Sequence, residues 1–376
     1  MKLYALLVML AAIPLNASEI TLTTYNLGLA HTFIPFAEER LEPLINELSI
    51  HNADVLCLQE VWKKSDQRKI KKSLKSNYPH LYKTKIKNYR VGSRPTCKIS
   101  DIFGKGKFIS CMQNQCGELD GDAFTDCLIN KCGTQLENLK ESNRTCASAL
   151  MAQVGKSPIA SIATLLNPFK RAGQFSYKGS NGLMLFSKHP ILEKKYVDFK
   201  DVSTLSRRGA LAVVVEVEGK KLQVMCTHLS ADLSETVPYT GIFKDWGEEN
   251  KEQFSRLLQT ANHKLYPTAL MGDFNCGFQN SAAGLGPELE DSCQQALDWN
   301  YSDFLSGELN ECTFCEQNLL NDSDQENEAI DHIFLKGLTA ISGEITFKDD
   351  IYILRDRSKK KTSLSDHYGL TVKAAF

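Results

Sequence analysis

Apolar residues fall along this chain in two rhythms, and the switches between them mark out its elements. Ile20 to Tyr25 alternates β-branched, apolar and aromatic residues and stops at Asn26-Leu27-Gly28, the pattern of a strand that hands an amide side chain to a turn. From Phe36 to Leu48 the apolar positions Leu41, Leu44, Ile45 and Leu48 recur at helical spacing, which predicts a helix. Asp54 to Glu60 is then almost wholly apolar and ends in a carboxylate, the pattern of a central strand buried on both faces. A charged helix is expected over Lys64 to Ser76.

After Lys87 the regular pattern is lost, and it returns at Gly182-Leu183-Met184-Leu185-Phe186-Ser187, a strand. Ala210 to Glu218 and Lys221 to Thr227 read as a hairpin over Gly219-Lys220, its second strand ending in Thr227-His228-Leu229. A helix over Glu249 to Asn262 precedes a strand at 268–275, where the apolar run Thr268-Ala269-Leu270-Met271 breaks at Gly272. A period of two puts Asp273 and Asn275 on one side of that strand, and Gly272 permits a close approach of chain or ligand. Ala329 to Phe334 and Leu370 to Ala374 are the last expected strands, the second preceded by Ser365-Asp366-His367.

Composition narrows the function classes. The 376 residues are 42% hydrophobic with a formal net charge of −1, so no global field draws the chain to nucleic acid or anionic membrane, and any such attraction must be local. Two basic patches exist: Lys63 to Arg90, with eleven Lys/Arg against the one acid Asp66, and Arg355 to Lys361. Residues 1–17, with Lys2, an apolar core from Leu3 to Ile13 and a small residue at Ala17, have the layout of a secretory signal peptide. A secreted protein, extracellular or periplasmic, is expected. No later apolar run is long enough to span a bilayer, and a monomer is expected.

Twelve cysteines suit an oxidising compartment. Cys57 and Cys226 sit in apolar runs and read as buried thiols. Six more lie between Cys97 and Cys146, where Phe108 to Gly117 and Phe124 to Gly133 repeat the pattern F-x2-C-x4-C-G. This echo predicts a helical hairpin stapled by disulfides, because the segment is too small for a core of its own; nested pairing of Cys111 with Cys132 and Cys116 with Cys127 is one of fifteen connectivities. The stretch 91–176 thus reads as a disulfide-rich, mainly helical insertion in a domain spanning 18–376. Its close, Ala147 to Asn167, carries only Lys156 as a charge and reads as helices packed on the body in preference to a lid or membrane-touching element. Cys312 and Cys315 form a CxxC without thioredoxin-like context and are expected to be structural.

The strand ends carry Asn26, Glu60, His228, Asp273, Asn275, Asp331, Asp366 and His367. A hard divalent cation such as Mg²⁺ takes carboxylate and amide oxygens together with water and a substrate phosphate, and Glu60, Asn26 and Asp366 supply that shell. Phosphoester hydrolysis needs a base to deprotonate water, a task for His367, whose ring Asp331 can orient. Asn275 and His228 can stabilise the developing charge, with Asp273 holding the nucleophilic water or a metal.

The ordered motifs Tyr25-Asn26, Leu58-Gln59-Glu60-Val61-Trp62, Thr227-His228-Leu229, Gly272-Asp273-Phe274-Asn275, Ile330-Asp331-His332-Ile333 and Ser365-Asp366-His367 resemble the endonuclease/exonuclease/phosphatase superfamily. The resemblance covers about 19–90 and 178–376. It implies a four-layer α/β sandwich, two packed mixed β-sheets flanked by helices, and Mg²⁺-dependent hydrolysis of a phosphodiester, with Mn²⁺ or Co²⁺ as substitutes. It makes Glu60, Asn26 and Asp366 metal residues, His367 the base, Asp331 or Asp366 its partner, and Asp273, Asn275 and His228 neighbours of the scissile phosphate. Position 332 is His where many members have Tyr.

Gln59-Glu60-Val61-Trp62, Leu185 to Ile191 and Thr227 to Ala231 look most like neutral sphingomyelinases, enzymes of phospholipase C type that act at a phospholipid membrane. The aromatic hairpin that bacterial members carry before Ser365-Asp366-His367 is not evident, and that region is basic instead. Basic loops suit a secreted nuclease acting on DNA, yet the same cations would attract anionic lipid headgroups, so charge does not decide; Arg208 and Lys360 are the expected contacts to the substrate phosphate. A binding module without chemistry is the third class, and the intact set of eight polar residues argues against it.

Overall fold

The computed structural model describes residues 17–376 apart from 32, 87–92, 120, 154–157, 175–179, 236–237 and 356. The expected leader therefore lies outside the described residues, save Ala17. In chain order the elements begin with β1 (Glu19–Asn26), α1 (Ala37–Ile50), β2 (Val55–Gln59), α2 (Lys64–Leu74) and β3 (His80–Tyr82). A helical segment follows, α3 (Ile99–Ile102), α4 (Phe108–Cys111), α5 (Gly121–Met151) and α6 (Pro158–Leu165), with a π turn at Met112–Cys116. The chain then runs through β4 (Met184–Ser187), β5 (Ile191–Asp198), β6 (Gly209–Val217), β7 (Lys220–His228), α7 (Trp246–Ala261), β8 (Thr268–Asp273), α8 (Glu290–Asp298) and β9 (Ser302–Asp303). A π turn at Leu305–Leu309, β10 (Asp331–Lys336), β11 (Thr339–Thr346), β12 (Ile351–Arg355), β13 (Ser358–Thr362) and β14 (Gly369–Ala375) complete it.

Two six-stranded sheets, ordered β11-β14-β1-β2-β4-β3 and β5-β6-β7-β8-β10-β9, form the body. Each is mixed, with one parallel pair among antiparallel neighbours: β1 with β2, and β7 with β8. Strands buried on both faces explain the nearly all-apolar runs of the sequence. In β2, Val55 and Cys57 join the core between the sheets, while Leu56 and Leu58 face Leu41, Leu44 and Leu48 of α1 and Ile70 of α2. In β8, Ala269 and Met271 point into the inter-sheet core and Leu270 packs with Phe254, Leu257 and Leu258 of α7. The result is the expected four-layer sandwich of helices, sheet, sheet and helices, held by burial worth about 1.5–3 kcal/mol for each large apolar side chain.

Cys57 and Cys226 correct the sequence reading. They are disulfide-bonded to each other, with Cα atoms 5.4 Å apart at a sequence separation of 169. β2 and β7 belong to different sheets, so this bond crosses the core and ties the two layers together; an apolar run looks the same around a thiol and a half-cystine, and the sequence alone does not show that the two strands face one another.

The insertion has its own small core, including Ile102, Ile109, Leu136, Leu139, Ala147 and Leu165. Disulfides Cys97–Cys146, Cys111–Cys132 and Cys116–Cys127 staple it, with the last two nested as the repeat predicts. α5 is broken at Asn143, whose φ of −154° and ψ of 78° are not helical. Ser148 Oγ donates to the carbonyl of Thr240 (2.7 Å), and Gln174 Nε2 donates to the carbonyls of Lys200 (2.8 Å) and Ser203. The insertion thus rests on the loop between β5 and β6 and on the loop after β7.

The basic stretch before Ser365 also differs from its reading. β12 and β13 pair as a separate two-stranded hairpin, with Tyr352 and Leu354 68% and 69% exposed. Lysines carry little β-propensity, so Ser358 to Lys361 gave no strand signal.

Candidate active site

Strand ends from both sheets meet at one point. Asn26 ends β1, His228 ends β7, Asp273 ends β8, Asp331 starts β10, and Asp366 and His367 lie just before β14. Backbone geometry makes the meeting possible. Gly28 has a φ of 52°, and a Cβ there would lie 2.2 Å from Asp366 Oδ1; at Gly272 (φ 157°) a Cβ would lie 2.2 Å from the carbonyl oxygen of Thr227. Glu60 and Asn275 have φ of 56° and 48°. Asn tolerates the left-handed region, but Glu rarely enters it, and such strain collects at functional sites.

His367 Nδ1 donates to Asp331 Oδ2 at 2.8 Å, and both residues are buried. The other ring nitrogen, Nε2, lies 3.4 Å from Asn26 Nδ2 and 3.9 Å from Asp273 Oδ2. Asp273 is the hub: its Oδ2 accepts from Asn26 Nδ2 (2.9 Å) and lies 3.3 Å from His228 Nε2, and its Oδ1 accepts from the backbone N–H of Asn275 (3.0 Å). Asn275 Nδ2 donates to the carbonyl of Leu229, binding the ends of β7 and β8 together. Asn26 Oδ1 accepts from the N–H of Gly28, and Ser365 Oγ donates to the carbonyl of Asn26 while lying 3.0 Å from Asp366 Oδ1.

The electrostatics of this cluster set its protonation. Burial opposes a charge on His367, but the carboxylate of Asp331 outweighs it and holds the imidazole well above its usual range. His228 moves the other way, well below, through burial and the nearby Arg208 and His367. Burial and then Asp331 raise Asp273 to about 6, and burial and then Asp366 raise Glu60 to about 7.

The Endonuclease/Exonuclease/phosphatase family matches residues 23–367. The chain belongs to that family. It is accordingly a metal-dependent phosphoric diester hydrolase. Its fold is similar to sphingomyelinase C from Streptomyces griseocarneus, at 16% identity over 95% of this chain and 99% of that one, with a TM-score of 0.54. It is also similar to beta toxin from Staphylococcus aureus in a crystal structure with bound magnesium ions (15%; 95% and 99%; TM-score 0.52). A third likeness is an endonuclease/exonuclease/phosphatase family protein from Bacteroides thetaiotaomicron (13%; 96% and 98%; TM-score 0.53). At these identities the likeness speaks for the fold alone. No curated protein matches the chain in sequence.

A metal fits the donor set of this family member. Glu60 makes no side-chain hydrogen bond or ion pair among the described residues, and its strongest charge interaction is with another carboxylate, Asp366. Two crowded acids with an unengaged oxygen pair are relieved by a divalent cation. Asp273, Asp331 and His367 also converge, each offering a donor atom within 4.8 Å of the others. Asp331 Oδ2, however, is engaged by the imidazole N–H of His367, an arrangement suited to orienting a base.

Of the two expected phosphate contacts, Arg208 immediately precedes β6 and acts electrostatically on Glu60, Asp273 and His228. Its Nε and Nη1 are buried without a hydrogen-bond partner. Lys360 lies in the hairpin instead, its ammonium 4.3 Å from the centre of the Phe36 ring.

Sequence reasoning missed Arg40. This fully buried guanidinium donates to the carbonyls of Pro35, Leu27, Leu364 and Gly28, so it clamps the turn after Asn26 to the segment before Asp366. The signal was present: Arg40 falls on the apolar stripe of α1 with Ala37, Leu41 and Leu44, where a cation needs a buried partner. Phe314, whose ring centre is 5.0 Å from that of His367, had no such signal.

Proposed function

We propose that the protein is a secreted Mg²⁺-dependent phosphodiesterase of phospholipase C type that releases a phosphorylated headgroup from a membrane phospholipid, sphingomyelin first among the candidates. The observation that carries the chemistry is the convergence of the Asp331–His367 pair, the carboxylates of Glu60 and Asp366, and the guanidinium of Arg208 with its Nε and Nη1 unpartnered. Glu60, Asp366 and the Asn26 region would hold the metal, which would supply a Lewis acid for a phosphate oxygen. His367, oriented through Nδ1 by Asp331, takes the proton of the attacking water at Nε2. Asn26 and His228 hold Asp273 beside that nitrogen, and Arg208 offers two N–H donors to the phosphate oxygens.

Two further carboxyls lie within electrostatic reach of Asp273. Burial and then Glu328 and Asp232 raise Glu288 to about 8; burial and then Glu326 raise Glu328 to about 7, and both feel Asp273. Raised this far, the two carboxyls are largely protonated near neutral pH and line the cleft as hydrogen-bonding groups without adding negative charge. Phe314 beside His367 adds an aromatic face. The exposed Tyr352 and Leu354 on a lysine-bearing hairpin suit a lipid interface. Secretion is supported by six disulfides with no free cysteine among the described residues. No described helix is long and apolar enough to cross a membrane.

The alternative, a secreted nuclease acting on DNA, rests on the basic patches. Several of these cations are engaged: Lys63 and Lys69 pair with Glu38 and Glu42, and Lys361 with Asp350. Parallel assays with Mg²⁺ on sphingomyelin vesicles and plasmid DNA decide between the two. Phosphocholine release without nicking is expected; nicking alone makes the protein a nuclease.

A further inference from the structure

α6 closes the insertion with the sequence Pro-Ile-Ala-Ser-Ile-Ala-Thr-Leu and carries no charge. Its inner side is set by the buried Ser161 and Leu165. The outward positions are Ile159, 82% exposed, with the exposed Ala160 and Ala163. A helix facing water puts charged residues there; this one puts Ile and Ala, with the half-exposed Thr164 hydroxyl turned onto the carbonyl of Ala160. A turn follows in which Asn167 Oδ1 accepts from the N–H of Phe169 and its carbonyl accepts from Lys170. Phe169 is 83% exposed on that turn.

The presentation is held in place from several sides. The N–H of Cys97 donates to the carbonyl of Leu165, Cys97 is disulfide-bonded to Cys146, and the N–H of Ala172 donates to Thr96 Oγ1 at 2.6 Å. Phe169 therefore stands on a pinned turn and is not folded back into the small core beneath it. Charge adds an independent observation. From Ser142 to Leu192 the chain has no Asp or Glu, and its Lys and Arg are Arg144, Lys156, Lys170, Arg171, Lys178 and Lys188. Aliphatic and aromatic side chains beside cations, in a stretch free of acids, match the headgroup region of an anionic bilayer.

We propose that the Ile159–Phe169 face of the insertion, with Lys170 and Arg171, docks on an anionic lipid bilayer. The proposal deepens the phospholipid reading and rests on it only for the choice of a membrane as the occupant. Docking there has a direct structural link to the cleft. The insertion is bonded through Gln174 to the carbonyls of Lys200 and Ser203, in the loop that leads into Arg208. That loop precedes Arg208, the proposed phosphate contact.

The test uses the full disulfide-bonded protein and cosedimentation with vesicles of phosphatidylcholine, with and without phosphatidylglycerol and with no sphingomyelin present. The protein is expected to bind the anionic vesicles preferentially. The double variant Ile159→Asn/Phe169→Ser is expected to bind about tenfold more weakly or worse, and Lys170→Glu/Arg171→Glu to lose the preference for phosphatidylglycerol. All four side chains lie outside the catalytic cluster, so hydrolysis of the soluble diester bis(p-nitrophenyl) phosphate checks that each variant is folded. Unchanged vesicle binding by the Ile159/Phe169 variant overturns the proposal. So does a dimer in solution that the same variant abolishes, which assigns the face to a second copy of the chain. Sphingomyelin in detergent micelles separates this inference from the function: micellar turnover with vesicle binding indifferent to the variants sinks the docking surface alone. Variant-sensitive vesicle binding without micellar turnover sinks the substrate alone.

Discussion

Asp331 Oδ2 accepts a 2.8 Å hydrogen bond from His367 Nδ1, which turns the opposite ring nitrogen toward Asp273. This contact fixes the tautomer that a base at Nε2 needs and raises its basicity. Asp331→Asn is therefore expected to lower kcat by about 10²–10⁴-fold with a small effect on KM. Because the carboxylate raises the imidazole, its loss moves the acidic limb of the pH–rate profile to lower pH. A variant with an unchanged profile removes Asp331 from this role.

Among the described residues, Glu60 is the one carboxylate of the cluster without a hydrogen-bonded side chain, and a metal is its natural partner. Adding Mg²⁺ is expected to raise the melting temperature, and EDTA to reverse the rise and abolish hydrolysis, since a ligand that binds only the folded state stabilises it by mass action. Glu60→Gln is expected to remove most of the Mg²⁺-dependent shift while leaving the metal-free melting temperature equal or higher, because it relieves repulsion from Asp366. An undiminished Mg²⁺ shift in Glu60→Gln places the metal elsewhere.

Arg40 spans the turn after Asn26 and the carbonyl of Leu364. Arg40→Met retains much of the apolar stem but strands four carbonyls, so a loss of about 3–5 kcal/mol in unfolding free energy is expected by denaturant titration. Arg40→Lys keeps the charge without the planar fork, and its recovery should be partial. Full stability in Arg40→Met contradicts the clamp.

His332, the departure from the usual Tyr, is buried with Nδ1 2.9 Å from Asp303 Oδ2 and Nε2 2.9 Å from the carbonyl of Cys276. Both nitrogens face acceptors, so the ring is held as an imidazolium. Burial opposes this, but Asp303 raises His332 above its ordinary value of 6.5; burial likewise opposes ionisation of Asp303, which His332 lowers below 3.8. The raised histidine contributes fully below 6.5 and loses its contribution as pH rises through the folded value; the lowered aspartate contributes above 3.8 and loses it as pH falls through its own. The stability difference between the protein and Asp303→Asn should therefore be greatest near pH 4–6.5, at about 3–5 kcal/mol, and shrink toward alkaline pH. A difference that is flat from weakly acidic to alkaline pH contradicts the ion pair.

Much of this was legible because strands buried on both faces are written as apolar runs, and a polar residue ending such a run stands out. Asn26, Glu60, His228 and Asp273 were all found that way. β5 and β11 were not, since they are edge strands with exposed residues along much of their length, and exposure erases the apolar signature. The Cys57–Cys226 bond was hidden because sheet-on-sheet packing is not local in sequence. Arg40 itself was signalled by its place on the apolar stripe of α1, but its acceptors were not: Leu364 lies 324 residues away, and no local pattern announces a buried guanidinium's acceptors.

The proposed activity is metal-dependent hydrolysis of a membrane phospholipid through His367. Its most direct test is phosphocholine release from sphingomyelin vesicles by the oxidised protein with Mg²⁺, alongside an EDTA control and His367→Ala. The proposed activity requires release that vanishes both with EDTA and in His367→Ala, while that variant keeps its Mg²⁺-induced rise in melting temperature. Release that persists in His367→Ala, or hydrolysis of plasmid DNA with none of sphingomyelin, contradicts it.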